Sequence, residues 1–139
     1  MIRVRVPASS ANMGAGFDTL GIALNLYSVL EVEEAESGLE IITKNHGGVV
    51  HNDKTNLVYR AMESVFDAVG YIPRGIKISQ DSKIPMTRGL GSSSACIIGG
   101  MLAANVISGR QLKYSDILNL ATKMEGHPDN VAPALYGGL

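Results

Sequence analysis

The chain has 139 residues, enough to bury one core but few for two. Hydrophobic residues make up 45% and charged residues 18%, which excludes a disordered chain, and a formal net charge of -1 offers no basic surface for nucleic acid or anionic membranes. The lone cysteine, Cys96, excludes an internal disulfide and reads as a small core residue. No basic N-terminus leads into a signal-type stretch. The longest nearly apolar run, Ala95 to Ile107, is too short to span a bilayer and contains Gly99, Gly100 and Asn105. The expectation is a soluble cytoplasmic protein.

Ile2, Val4 and Val6 alternate with Arg3 and Arg5, which predicts a strand with one buried face, ended by Pro7. Ala8 to Gly16 is composed of small residues apart from Asn12 and Met13, a composition suited to a loop that lets a ligand approach the backbone. Leu20 to Glu33 and Leu39 to Thr43 read as further strands, and Asn45 to Lys54 as a turn-rich connection. Thr55 is the expected cap of a helix whose Val58, Met62, Val65 and Val69 share a face, with Gly70 as its terminator. Gly75 to Ser79 alternates again. Ser92 then opens a helix that is apolar on nearly every side from Ala95 to Ile107 and ends at Gly109, so it must be buried among other elements. Ser115 is the expected cap of a third helix, with Ile117, Leu118, Ala121 and Met124 inward. Strands and helices alternate irregularly, which predicts an α+β fold, a mixed or antiparallel sheet packed against helices, in one domain. The end at Tyr136-Gly137-Gly138-Leu139 looks like a turn entering another strand, as if a longer protein were interrupted there.

The most informative stretch is Pro85-Met86-Thr87-Arg88-Gly89-Leu90-Gly91-Ser92-Ser93-Ser94-Ala95, between a predicted strand and the buried helix. Gly89 and Gly91 let the backbone present several N–H groups to one point, and the helix start adds unsatisfied N–H groups and a positive dipole end. A strand-to-helix turn would account for the glycines alone. A cap needs one hydroxyl, however, and this segment supplies three, which favours an anion cradle with hydroxyls for phosphate or magnesium. It is not a Walker loop, since no lysine follows the last glycine. Two other segments are candidates. Asn12 and Asp18, in the first small-residue loop, suit a substrate bearing an amine and a hydroxyl, or simply fix turns. Glu125-Gly126-His127-Pro128-Asp129-Asn130 places a carboxylate at a helix end where the dipole opposes it, which favours a cation partner, while His127 either contacts substrate or packs.

Ala8 to Asp18, Pro85 to Ala95 and Glu125 to Ala134 together resemble the signature motifs of the GHMP kinases, and Glu125 to Ala134 matches the members acting on L-homoserine. The resemblance implies the N-terminal ATP-binding domain over residues 1–139, with the family's C-terminal domain absent. It implies transfer of the ATP γ-phosphoryl group to the L-homoserine hydroxyl, giving O-phospho-L-homoserine on the way to threonine. By matching position, Pro85 to Ala95 holds the ATP phosphates, Asn56 approaches the adenine, and Ser93 and Glu125 bind magnesium. Asn12, Asp18, His127 and Asn130 contact substrate, and Asp18 with Asn12 takes the catalytic role. The implied partners are ATP and L-homoserine, and a homodimer or self-associating fragment. The alternatives are a truncated, non-catalytic nucleotide-binding unit or another small-molecule kinase of the family.

Overall fold

The computed structural model describes residues 1–11, 21–44, 52–82, 92–126 and 131–136. In chain order the elements are β1 (Ile2–Ala11), β2 (Gly21–Glu34), β3 (Gly38–Lys44), α1 (Leu57–Val69), β4 (Gly75–Ser82), α2 (Ser92–Ile107), α3 (Tyr114–Glu125) and α4 (Val131–Tyr136). The strands form a mixed sheet in the order β1-β2-β4-β3. β2 runs antiparallel to both β1 and β4, while β3 and β4 are parallel. The fold class is α+β, as the irregular alternation predicts.

One face of the sheet carries the core. Val6, Leu30, Val32, Ile41, Ile76 and Ile78 are buried there, at alternate positions of their strands. α2 lies on this face and packs against β1, β2 and every other helix. Its own composition requires that place, because Ala95, Ile97, Ile98, Met101, Ala103 and Ala104 point in all directions and are all buried. Of its two adjacent glycines, one is required by a close approach. A Cβ on Gly99 would lie 3.4 Å from the Leu30 and Val6 side chains, and one on Gly100 would lie 2.5 Å from the Val58 carbonyl oxygen of α1.

Several boundaries differ from the sequence reading, each for a local reason. β1 does not stop at Pro7 but continues to Ala11, so the small-residue segment begins as strand. The register shifts between Pro7 and Ser9, which accommodates the missing N–H on a strand at the sheet edge. The α1 cap is Asn56 rather than Thr55: Tyr59 N–H donates to Asn56 Oδ1 at 3.2 Å. Thr55 is occupied one turn earlier, its N–H and hydroxyl both donating to Asp53 Oδ1. Gly70 ends α1 as predicted, at φ 72. α3 begins at Tyr114, before Ser115, because Asp116 Oδ2 reaches back to accept from Lys113 N–H at 2.9 Å. The short α4 was not predicted; Pro133 lies in its first turn, where no intrahelical donor is lost.

Candidate functional site

The topology gathers the ends of the elements that flank the candidate segments. β1 and β4 both run antiparallel to β2, so their C-terminal ends, Ala11 and Ser82, lie toward the same end of the sheet. β3 ends there too, with Lys44 opposite Asp81. α2 starts beside this end, because Gln80 Nε2 donates to Cys96 Sγ at 3.2 Å. Asn12, Asp18, the loop residues 85–91, His127 and Asn130 lie outside the described residues, but 12–20 and 83–91 follow directly on these strand ends.

The described part of the site centres on Ser93 and Glu125. Ser93 sits in the first turn of α2 and Glu125 is the last residue of α3. The Ser93 hydroxyl lies 3.0 Å from Glu125 Oε1 and 3.2 Å from Oε2, across a sequence separation of 32. Glu125 stands at the negative end of its own helix, an unfavourable position that the facing positive end of α2 offsets. A hydroxyl and a carboxylate oxygen are the hard donors magnesium takes, and magnesium needs only one or two carboxylates with waters and phosphate oxygens completing its shell. The donor set therefore fits that ion. Among the described residues there is no cluster of three or more His, Cys, Asp or Glu.

The remaining described candidates have different surroundings. Ser92 opens α2. Ser94 is fully buried inside α2 and its Oγ has no hydrogen-bond partner among the described residues. Ala95 is buried in the core. Asn56 is buried at the start of α1, where its amide oxygen is committed to capping.

Sequence reasoning passed over Gln80, although the signal was present. It takes the third inward position in the alternation Ile76, Ile78, Gln80, where a polar side chain is out of place. Gln80 is 2% exposed and its Oε1 has no hydrogen-bond partner among the described residues. Its acceptor, the Cys96 thiol, is pushed up to about 11 by burial, partly offset by the hydrogen bond from Gln80.

Comparison with known proteins gives a consistent result. Residues 56–138, more than half the chain, match the family model for the GHMP kinases N terminal domain. A homoserine kinase of Caldicellulosiruptor bescii is 56% identical over 139 residues, covering 100% of this chain and 45% of that relative. The crystal structure of homoserine kinase from Cytophaga hutchinsonii superposes with a TM-score of 0.81 at 34% identity, covering 99% of this chain and 46% of the other. Mevalonate kinase of Methanococcus jannaschii gives a TM-score of 0.79 at 20% identity, covering 97% and 51% respectively; at that identity the likeness concerns the fold alone. The chain spans less than half the length of the curated relatives it matches.

Proposed function

The chain belongs to the GHMP kinase family, and from that membership we propose that it is the N-terminal, ATP-binding domain of an enzyme that phosphorylates the hydroxyl of L-homoserine. The observation that carries the reading is the meeting of Ser93 with Glu125 at the start of α2, a hydroxyl and a carboxylate beside a helix N-terminus. The identity of 56% to a homoserine kinase supports the choice of acceptor within the family.

In this proposal the loop from Pro85 to Ala95 and the first N–H groups of α2 receive the triphosphate. Ser93 and Glu125 hold magnesium, which when bound neutralises charge on the phosphate oxygens. Asn12, Asp18, His127 and Asn130 bind the amino acid, and Asp18 orients the hydroxyl in line with the γ-phosphorus. The protein's contribution is positioning and electrostatics, since phosphoryl transfer asks little covalent chemistry of it. The products are ADP and O-phospho-L-homoserine, and the product enters threonine biosynthesis. The reading includes pairing of copies and a location in the cytoplasm; no helix among the described residues is long and apolar enough to cross a membrane.

Two measurements test this. Thermal melts of the 139-residue chain should show stabilisation by Mg-ATP, about 2.7 kcal/mol at a hundredfold excess over Kd, and much less by ATP with magnesium chelated. An enzyme extended to its relatives' length should release ADP with L-homoserine and not with mevalonate or a sugar. Release with another alcohol instead would reassign the acceptor within the family. Mg-ATP binding without release of ADP from any alcohol would favour the non-catalytic reading.

A further inference from the structure

We propose that Gln80 is a positioning residue that fixes the height of the first turns of α2 above the sheet, and through them the position of Ser93 against Glu125. The inference rests on the nucleotide-binding reading of that junction.

Gln80 is on the inner face of β4, level with Leu30 on β2 and Thr43 on β3. It is an awkward residue for that place. The residue is 2% exposed, its Oε1 has no hydrogen-bond partner among the described residues, and its side-chain bond there is a weak N–H···S bond to Cys96. An unpaired buried acceptor is a net cost that an apolar residue of the same shape would not carry. Stability alone therefore does not account for a glutamine here.

The neighbouring interface shows what the glutamine contributes. α2 meets the sheet through apolar and glycine surface, with Gly99 against Leu30 and Val6. Such contacts are non-directional and hold a helix against a sheet without setting its position along its own axis. Among the described residues, Gln80 to Cys96 is the side-chain hydrogen bond that ties α2 to the sheet. A directional bond of this kind selects one register from several of similar packing energy, the best-supported use of a buried polar group. Cys96 lies within a turn of Ser93, so the register it sets is passed to the Ser93 hydroxyl and its contact with Glu125. The unpartnered Ser94 Oγ in the same turn is a second buried polar atom that packing alone does not explain.

The test separates register from stability. In the 139-residue chain, Gln80→Met keeps length and volume and removes the amide. It should leave the melting temperature unchanged or higher while weakening Mg-ATP binding by about five- to tenfold, the span of one directional bond. Cys96→Ala should weaken binding by a similar factor and add nothing to Gln80→Met, as members of one pair do in a double-mutant cycle. Cys96→Ser keeps an acceptor in place and should bind as the wild type does. A Gln80→Met chain that melts lower but binds Mg-ATP as tightly as the wild type would show a merely structural residue and overturn the proposal. Additive losses in the double variant would overturn it as well. A wild-type chain that does not bind Mg-ATP removes the nucleotide reading itself, and this inference falls with it.

Discussion

At the scale of single residues, the half-buried Cys96 thiol and the site carboxylate give the clearest expectations. The Cys96 thiol is raised from 9.0 to about 11, so the folded chain keeps a proton that the unfolded chain has already released in that range. Its contribution to stability is thus intact below pH 9.0 and is lost as pH rises toward 11, at about 1.36 kcal/mol per unit. Urea melts across that window should show a steeper fall in the wild type than in Cys96→Ser, and equal slopes would refute the raised thiol. Glu125→Gln keeps the shape of the site and removes its charge. It should abolish most of the magnesium-dependent part of ATP stabilisation, and in a full-length enzyme lower kcat by about 10²-fold, the scale of losing one electrostatic contact to the transferring group. Magnesium dependence that survives in this variant would remove Glu125 from the site. Glu125 was legible as a candidate from its place at a helix end, whereas Cys96 read only as a small core residue from its place in an apolar run. Ser93 was paired with Glu125 through the family resemblance alone, and Gln80 as the partner of Cys96 was not legible, because it lies on another element and meets Cys96 only through the packing of α2.

At the scale of elements, α1 and α2 illustrate how far local rules reach. Gly70 was readable as the end of α1 because a left-handed terminator is a local demand that glycine meets alone. The start of α1 was misread by one residue, because Thr55 and Asn56 are both good caps and only the competing bonds of Thr55 to Asp53 decide between them. Asn56→Ala should cost about 1 kcal/mol through the lost cap, whereas Asn56→Asp should keep it. If the amide also approaches the adenine, Asn56→Asp will weaken ATP binding at wild-type stability. For α2, the adjacent glycines are predicted to respond in opposite directions. Gly99→Ala meets only ordinary contacts with Leu30 and Val6 and should be neutral or stabilising by up to about 1 kcal/mol. Gly100→Ala drives a methyl to 2.5 Å from the Val58 carbonyl and should destabilise by roughly 1–3 kcal/mol despite better helix propensity. Equal effects in denaturant titrations would mean that α1 and α2 are not in such close contact.

At the scale of the whole molecule, one sheet face is covered by helices, and among the described residues β1 and β3 are the outer strands. Arg3, Arg5 and Pro7 blunt β1 against pairing. β3 has no proline and exposes Ile42, so it is the edge expected to join copies if the proposed self-association occurs. Light scattering should then show association that rises with concentration and is reduced by Ile42→Lys; a monomer at high concentration would count against it. The sequence by itself determined the alternation that makes strands, the all-round apolar helix that has to be buried, the glycine-serine segment before it and the membership of a family. Each pattern is set by residues within a few positions of one another, and the family by three such segments taken together. Only the tertiary structure decided the distance at which Ser93 meets Glu125, that Gln80 reaches Cys96, and that the ends of β1, β3 and β4 share one end of the sheet with the start of α2. Those relations depend on strand order and helix packing, which bring together groups whose separation along the chain carries no periodic signal.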